Sequence, residues 1–424
     1  MLANNSSFSR RRFLQLFGLA AASCASIHFL KASNSGHPFA SFDHEMDAFM
    51  KARGIPGGAL AVSRNQRLVY AAGYGWANIE KKIRAHPETL FRIASLSKPI
   101  TAAAVLKLVE QEKLSLENKA FDILPLDPGL GAGQRPDQRL KHITIRHLLT
   151  HTAGWDKDVS GDPMFQSDQI ARVLDCRRPP GPKDIIRYML GRPLDFDPGS
   201  RYAYSNFGYC VLGRIIEQIT GQSYENYVRK EILQPVGIPD MCIGASLESE
   251  ARPNEAHYYA AGNRRVPSVF ADFPGSVPVP YGSFCLEAMD AHGGWIASVL
   301  DLVRWLAVLE PNHPKSMLKQ KTFSEIVAPP PPPVWRQDDG KLAPAYYGCG
   351  WMVRPLKESG VNLWHAGSLP GTFSFMVRLA NNLSWVVLFN QRSEKKSLPD
   401  DAIDAALHRA AANVKDWPHG TPLL

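Results

Sequence analysis

Strand-like segments lie at both ends of this 424-residue chain, and helical segments lie between them. Near the start, two apolar runs are joined by a polar turn, and near the end two adjacent asparagines supply a turn between the last two strand-like runs. The two groups of strands are expected to meet in one sheet, because each needs a partner to bury its apolar face. The predicted strands are residues 58–62, 68–73, 347–354, 363–366, 372–379 and 385–390.

This order predicts an α/β fold in which helices flank an antiparallel sheet and a mostly helical domain is inserted in the sheet domain. The sheet domain is expected to comprise residues 39–100 and 285–424, and the inserted domain residues 101–284. With 45% hydrophobic residues, the chain can bury a substantial core.

The amino terminus has the features of an export signal. The run Ser9-Arg10-Arg11-Arg12-Phe13-Leu14 matches the twin-arginine pattern, and a short apolar run, residues 16–22, follows it. That run is too short to span a bilayer and is typical of a signal peptide. Residues 1–35 are therefore interpreted as a twin-arginine-type export signal and linker, and a periplasmic or other extracytoplasmic protein is expected. The alternative is a basic tail on a cytosolic protein.

The position of Cys24 allows two interpretations of how the amino terminus is processed. Cys24 follows Ala21-Ala22-Ser23, as in a lipid-attachment signal, so a lipid anchor at Cys24 is one interpretation and cleavage between residues 23 and 35 is the other. The other five cysteines contain no Cys-x-x-Cys pair, so zinc-type spacing is absent. Export in the folded state disfavours dependence on a disulfide, and Cys210 is expected to be a buried thiol.

The net charge of +8 does not indicate a nucleic-acid partner. Residues 1–40 contain four basic side chains and no acidic one, which leaves only +4 over the rest of the chain. No basic stripe with interleaved aromatic residues is present, so nucleic acid is not expected to bind. No feature of the sequence indicates an oligomeric state.

A hydroxyl and an amine lie three residues apart where an extended segment is expected to become a helix. Ser95 and Lys98, in Phe91-Arg92-Ile93-Ala94-Ser95-Leu96-Ser97-Lys98, share a helix face because positions i and i+3 are neighbours. Lys98 can take the proton of Ser95 if burial lowers the lysine pKa. The same spacing recurs at residues 316–319 and 393–396, so the first copy is distinguished only by the motifs that accompany it.

Residues 144–154 are expected to form a short helix that Thr144 caps and Gly154 ends. His147 and His151 have the i,i+4 spacing that can bind a metal. No glutamate lies between them as in a metalloprotease helix, and no third ligand is evident, so packing and hydrogen bonding are the expected roles. The chain has no Gly-x-Gly-x-x-Gly nucleotide loop, and neither a metal nor a cofactor is expected.

Two further motifs follow Ser95 along the chain. Tyr204 and Asn206 form a Tyr-x-Asn motif between a Pro-Gly turn and a helix, and His365-Ala366-Gly367 lies in a predicted strand. In order, spacing and local context, these motifs resemble those of the serine β-lactamase and penicillin-binding-protein superfamily, in particular its class C β-lactamase, DD-peptidase and esterase branch. The resemblance covers roughly residues 42–410. The segments on which it rests are residues 91–98, 144–154, 198–206, 293–301 and 365–367.

The resemblance implies a serine hydrolase that forms an acyl-enzyme, which water then hydrolyses. It implies Ser95 as the nucleophile, with Lys98 as its partner. Tyr204 would be the general base, either as a phenolate or through a proton relay, and Asn206 would hydrogen-bond Lys98 and the substrate. The backbone N–H groups of Ser95 and Ser368 would form the oxyanion hole.

The third motif departs from the β-lactamase pattern, which is usually Lys-Thr-Gly. His365 is mostly neutral at pH 7 and Ala366 has no hydroxyl, so affinity for a substrate carboxylate should fall. This departure favours an esterase or peptidase, acting on a small-molecule or peptide substrate, over a class C-type β-lactamase or DD-peptidase. A protonated His365 would instead imitate lysine at low pH. Gly367 fits either interpretation, since only glycine lets a substrate pack close to the strand.

A non-catalytic penicillin-binding or regulatory protein is the alternative from a different functional class. Such a protein needs the fold but not the complete acylation machinery. The presence of all four motif residues favours the enzyme; they are Ser95, Lys98, Tyr204 and Asn206.

Overall fold

The computed structural model of this protein describes residues 37–130, 135–309, 311–357 and 360–424. Short strands at several points supplement the longer ones that were predicted. The strands in these residues are β1 (Gly57–Arg64), β2 (Arg67–Asn78), β3 (Ile83–Arg84), β4 (Phe91–Arg92), β5 (Cys242–Ile243), β6 (Arg265–Pro267), β7 (Ser276–Pro278), β8 (Trp295–Ala297), β9 (Tyr346–Tyr347), β10 (Met352–Pro355), β11 (Val361–Leu369), β12 (Thr372–Arg378), β13 (Leu383–Phe389) and β14 (Thr421–Pro422).

Helices occur at both ends of the described chain and throughout its middle. The α-helices are α1 (Ala40–Arg53), α2 (Ser97–Glu110), α3 (Ala120–Ile123), α4 (Ile145–Leu149), α5 (Ser167–Leu174), α6 (Pro182–Leu190), α7 (Asn206–Thr220), α8 (Tyr224–Val228), α9 (Asp290–Gly293), α10 (Val299–Val308), α11 (Gln320–Val327) and α12 (Ala402–Ala412).

One antiparallel sheet joins strands from the two ends of the chain, as the sequence predicts. Its strand order is β14-β2-β1-β13-β12-β11-β10-β9, and β3 pairs with β2 at the side. The junction is β1 against β13, where Leu60 is paired with Val387. The predicted α/β class with an antiparallel sheet and flanking helices is confirmed. The domain boundaries at residues 100 and 285 stay a prediction.

The two central strands are apolar on both faces because both faces of the sheet are covered. Along β1, Ala59 and Ala61 enter the larger apolar cluster, whereas Leu60 and Val62 enter a second cluster on the opposite face. This alternation follows from the two-residue period of a strand. Helices α1 and α12 contact each other and cover the second cluster, and α10 packs against β1 and β13 on the first.

Two predicted elements are shorter than expected. The helix predicted over residues 144–154 is α4 alone, since His151 has a φ of 57° and reverses the chain direction. The strand predicted over residues 347–354 is split into β9 and β10, because Gly350 has a φ of 84° and turns the backbone toward α2. A left-handed backbone conformation interrupts a regular helix or strand. At Gly350 it brings the chain close to α2, and at His151 it brings the imidazole close to Tyr204.

The last hairpin turn and one buried thiol are also present in the structure. Asn382 has a φ of 63° in the turn between β12 and β13, and Cys210 is fully buried, both as predicted. The five cysteines of the described residues are all unpaired. In the same residues, no helix is long and apolar enough to cross a membrane. The predicted export signal and Cys24 lie outside the described residues.

The contact between Gly350 and α2 predicts a large stability loss in Gly350→Ala. A Cβ there would lie 2.6 Å from the Ala102 Cβ, and its left-handed φ adds strain. Strain of about 1–2 kcal/mol and overpacking of about 1–3 kcal/mol should together lower the free energy of unfolding by about 2–5 kcal/mol.

The measurement is urea unfolding, with Gly262→Ala as the matched control. Gly262 also has a left-handed φ of 68°, but nothing lies within 4 Å of its Cβ position. The control should lose only about 1–2 kcal/mol. Equal losses in the two variants would contradict the close packing of Gly350 on α2.

Candidate active site

Ser95 lies in a tight turn that connects β4 to α2. Residues Ala94–Leu96 form one turn of 3-10 helix, and Ala94 has a φ of 48°. The α-helix begins at Ser97 rather than at Ser95, two residues later than the sequence predicts. Ser95 stays partly exposed while its neighbours in the turn are buried, so its hydroxyl remains accessible to a substrate.

Lys98 lies in the first turn of α2 with its side chain fully buried. Its Nζ is 3.0 Å from Ser95 Oγ, 2.7 Å from Asn206 Oδ1 and 2.9 Å from the backbone carbonyl of His292. The structure therefore brings together three of the predicted site residues around one nitrogen. It also adds the carbonyl of His292, which the sequence did not indicate.

The neighbours of Lys98 Nζ are three oxygens, none of which carries a charge. The oxygens of Asn206 and His292 are carbonyls and only accept, so each takes an N–H group of Lys98, whereas the Ser95 hydroxyl can either accept a third N–H group or donate to the lone pair of a neutral amine. Burial lowers the pKa of Lys98 well below its ordinary value, and the nearby carboxylate of Asp162 partly opposes that shift. Geometry and charge together favour Lys98 as the acceptor of the Ser95 proton.

Tyr204 lies just before α7, and its ring contacts the same lysine. The ring centroid is 4.7 Å from Lys98 Nζ. Burial raises the pKa of the Tyr204 phenol well above its ordinary value, and the interaction with the Ser95 hydroxyl lowers it by less. A phenolate base is therefore disfavoured. The proton-relay form of the predicted role fits the site, because a protonated phenol can both donate and accept.

Asn206 is the first residue of α7, and Ser205 caps that helix by accepting the N–H of Gly208 at 3.2 Å. The Asn206 side chain is fixed from both sides. Its Oδ1 accepts from Lys98, and its Nδ2 donates to Asp162 Oδ2 at 2.7 Å. Asp162 was not among the predicted site residues, because nothing in the local Gly-Asp-Pro sequence indicates which distant residue it contacts.

The edge of β11 closes the other side of the site. A Cβ on Gly367 would lie 2.4 Å from the carbonyl oxygen of Ile93 and 3.0 Å from the backbone nitrogen of Ser95. Glycine is thus required because the strand packs against the Ser95 turn, and not only because a substrate approaches it. Ser368 follows as an exposed residue, so its backbone lies at the same edge as that of Ser95, where the predicted oxyanion hole would form.

His365 is buried and already bonded within the protein. Its Nε2 lies 2.9 Å from the hydroxyl of Tyr347, and its Nδ1 lies 2.7 Å from the carbonyl of Ala366. Burial, with a further contribution from Lys98, lowers the pKa of His365 to about 3. The lowered pKa agrees with a neutral His365 and disfavours the alternative in which a protonated His365 imitates lysine. Ala366 packs on the opposite face of the sheet, against the cluster under α1 and α12.

A cation does approach this edge from another element. Arg392 follows β13, and its Nη1 donates to Ser368 Oγ at 3.2 Å. Burial lowers the pKa of Arg392, although a guanidinium remains protonated at neutral pH. Arg392 was not among the predicted site residues, because it lies outside the three motifs.

With this geometry established, comparison with known proteins identifies the family. A family model described as Beta-lactamase matches residues 42–410. The chain belongs to the β-lactamase family. Penicillin-binding protein 4* of Bacillus subtilis (strain 168) is 26% identical over 365 residues, which cover 85% of this chain and 74% of that protein. Protein flp of Staphylococcus aureus (strain MRSA252) is 26% identical over 346 residues, which cover 80% of this chain and 60% of that protein.

Solved structures share the β-lactamase fold. The octameric penicillin-binding protein homologue from Pyrococcus abyssi has a TM-score of 0.67 at 24% identity, covering 90% of this chain and 79% of that one. The D-amino acid amidase from Ochrobactrum anthropi SV3 has a TM-score of 0.65 at 22% identity, and the match covers 89% of this chain and 98% of the amidase. EstCE1, described as a hydrolase with promiscuous acyltransferase activity, has a TM-score of 0.65 at 20% identity, and the match covers 88% of this chain and 98% of EstCE1. Family membership makes the chain a serine hydrolase.

The two histidines of the predicted helix differ in their surroundings, and only His151 contacts residues of the site. His147 Nδ1 accepts the backbone N–H of Thr144 at 3.3 Å, as part of a capping box. His151 lies beyond the helix, where its Nδ1 accepts the N–H of Ser205 and its ring centroid is 4.4 Å from that of Tyr204. Among the described residues, no group of three potential ligands is placed to hold a metal ion.

Two other serines, Ser316 and Ser393, are also followed by a lysine three residues later, but their surroundings differ from those of Ser95. Ser316 Oγ donates to the carbonyl of Leu318, and Ser393 Oγ donates to the carbonyl of Lys395. Both hydroxyls thus stabilise local turns, whereas Ser95 contacts Lys98.

Lys98→Arg should lower kcat/KM for p-nitrophenyl acetate at pH 7 by at least about a hundredfold, because a guanidinium stays protonated and cannot accept the Ser95 proton. In the wild type, the lowered pKa of Lys98 should keep the enzyme active near neutral pH, without requiring a pH near 10.

The measurement is a pH series of ester hydrolysis, with circular dichroism as the folding check. Lys107→Arg is the matched control, because Lys107 lies on the same helix and pairs with Glu110 away from the site. A Lys98→Arg enzyme with a nearly unchanged rate would show that another group takes the proton.

Proposed function

We propose that this protein is an exported serine hydrolase that cleaves an ester, amide or peptide bond through an acyl-enzyme. The observation that supports the proposal is the 3.0 Å approach of a fully buried lysine amine to the accessible Ser95 hydroxyl. Buried charge is costly, so such a lysine is poised as a base. A binding protein has no need for that arrangement.

The acylation step uses the groups around Lys98. Ser95 Oγ attacks the substrate carbonyl carbon as its proton passes to Lys98 Nζ, and the carbonyl oxygen becomes an oxyanion that accepts the N–H groups of Ser95 and Ser368. When the carbon–leaving-group bond breaks, the leaving alcohol or amine receives that proton, relayed through the Tyr204 hydroxyl. An ester then links Ser95 to the acyl group.

Deacylation reverses the proton path. Water attacks the acyl-enzyme carbonyl as its proton passes to the site base, and the Ser95–acyl bond breaks. The proton returns to Ser95 Oγ, and the product is a carboxylic acid. Asn206 holds Lys98 in place during both steps, because its own orientation is fixed by Asp162.

The substrate preference follows from the neutral centre of the site. His365 is uncharged and bonded to Tyr347, so it does not supply the cation that grips a carboxylate in Lys-Thr-Gly enzymes. We infer that esters, amides or peptides are preferred over β-lactams. Proteins that share the fold are described as a D-amino acid amidase and as a hydrolase with acyltransferase activity, which is compatible with this preference.

A second candidate is favoured by Arg392. Its guanidinium lies beside the hydroxyl of Ser368, at the strand edge that a substrate would contact. A cation there could bind the carboxylate of a β-lactam or of a peptide carboxyl terminus. On this alternative, the enzyme is a class C-type β-lactamase or DD-peptidase that reads the carboxylate with an arginine in place of the strand lysine.

Ser95→Ala should abolish ester hydrolysis and covalent labelling by a fluorescent phosphonate, because the alanine has no oxygen to form the bond. Intact-mass and peptide mass spectrometry of the wild-type adduct should locate the label on Ser95. A label on Ser316 or Ser393 in either protein would refute the assigned nucleophile. A wild-type protein that takes up no label and hydrolyses no ester would indicate a non-catalytic binding protein.

Short-chain aryl esters should be hydrolysed with a higher kcat/KM than nitrocefin. If the wild type shows nitrocefin turnover, Arg392→Gln should reduce the nitrocefin-to-ester ratio by roughly ten- to a hundredfold, the usual effect of losing one charge-assisted hydrogen bond. Arg265→Gln, an exposed arginine in β6, is the control. Efficient nitrocefin cleavage at pH 7 together with no ester hydrolysis would overturn the esterase preference.

We further propose export by the twin-arginine route, supported by the Arg-Arg-x-Phe-Leu match in residues 10–14 and by the short apolar run that follows it. Replacing Arg10 and Arg11 by lysine should leave unprocessed protein in the cytoplasm, as judged by cell fractionation and immunoblotting. Normal extracytoplasmic accumulation would exclude this route. Membrane retention of a Cys24→Ser variant would exclude lipid attachment at Cys24.

A further inference from the structure

One carboxylate belongs to the surroundings of Lys98. Asp162 precedes a single 3-10 turn, Pro163–Phe165, and its Oδ1 accepts the N–H of Met164 at 3.1 Å. Its Oδ2 accepts from Asn206 Nδ2 at 2.7 Å, and Asn206 in turn contacts Lys98. Asp162 is thus two hydrogen bonds from the lysine amine, although it is remote from that lysine in the sequence.

The described protein groups satisfy only part of the hydrogen-bonding capacity of the Asp162 carboxylate and provide no ion-pair partner for it. Ionised oxygens offer about four acceptor positions, and the two contacts described above use two of them. Asp162 takes part in none of the ion pairs among the described residues, and it is only partly buried. Its field reaches the catalytic groups, since it raises the pKa of both Lys98 and Tyr204.

We propose that Asp162 is a specificity-determining residue that binds a positively charged amino group of the substrate. The inference rests on the proposed acyl-enzyme function and assigns its substrate class: esters, amides or peptides of amino acids that carry a free amino group. An ammonium group provides three donors and a charge opposite to that of Asp162.

The position of Asp162 suits this class of acyl group. Asn206 separates Asp162 from Lys98, so the carboxylate lies just beyond the residue that is expected to contact the substrate beside the scissile carbonyl. In an aminoacyl group, the amino nitrogen is two bonds from the carbonyl carbon, or somewhat farther in a basic side chain. A neutral acyl group would leave the carboxylate without a counter-charge when water is displaced.

The test compares matched substrates that differ only in the charge of the amino group. Alanine p-nitroanilide and N-acetylalanine p-nitroanilide, each in both enantiomers, are assayed with full-length wild type, Asp162→Asn and Asp162→Ala. The asparagine variant retains an oxygen that can accept from Asn206 but loses the charge. The alanine variant loses both, which separates substrate recognition from the positioning of Asn206.

The wild type should prefer the free amine, and Asp162→Asn should reduce that preference by roughly ten- to a hundredfold. Asp162→Ala should also lower the rate with the acetylated substrate. Asp158→Asn, an exposed carboxylate nearby in the chain, should leave the preference unchanged. The preference of the wild type should decline as the pH rises through the pKa of the substrate amine.

Two results would overturn the inference. If Asp162→Asn lowers both substrates equally, Asp162 only positions Asn206. If the wild type shows no preference for the free amine in either enantiomer, the substrate class is wrong. Hydrolysis of p-nitrophenyl acetate and phosphonate labelling of Ser95 would still hold in both cases, so failure here is distinguishable from failure of the proposed hydrolase function.

Discussion

A single buried nitrogen, Lys98 Nζ, is the point on which the site depends. It contacts Ser95, Asn206 and the carbonyl of His292, which belong to the turn before α2, to α7 and to α9. Burying a charged ammonium without a counter-ion would cost several kcal/mol, so the protein favours the uncharged base. The catalytic chemistry is therefore a consequence of how closely α2, α7 and α9 pack, because solvent entering between them would restore the charge.

The sheet supplies what those helices cannot. Gly367 and Gly350 let two strand-edge segments approach the Ser95 turn and α2 more closely than any side chain would allow. The first approach places the backbone of β11 beside the nucleophile, where donors to an oxyanion are needed. In the proposed mechanism, the helical segments supply the groups that transfer the proton and the sheet edge supplies the groups that stabilise the oxyanion, so the site needs both.

Sequence predicts the site best where the relevant spacing is local. Ser95 and Lys98 are three residues apart, and Tyr204 and Asn206 lie on either side of the residue that caps a helix, so the proximity within each pair follows from short-range geometry. The strand periodicity likewise predicts the sheet, because alternating residues must enter opposite cores. The paired termini follow from the same pattern, since unpaired strands would expose their backbone groups.

Other features depend on contacts that sequence spacing does not reveal. The left-handed φ of His151 ends α4 five residues early and turns its imidazole toward Tyr204, and a helical pattern does not indicate such a reversal. The environment of His365 depends on Tyr347, whose strand was predicted as part of a longer one. A free histidine would titrate near neutral pH, whereas the buried one does not.

The centre of the site holds neutral groups, and its charges lie at its margins. Burial lowers the pKa of His151 and His365 as it does that of Lys98, so a substrate meets little fixed charge at the reacting carbon. Two charged residues contact the site indirectly: Asp162 is hydrogen-bonded to Asn206, and Arg392 is hydrogen-bonded to Ser368. These two residues lie in a loop and after a strand, where substitutions disturb packing least. Substrate choice in this fold can therefore change at the margins while the acylation machinery stays fixed, which is why the motifs alone identify the chemistry but not the substrate.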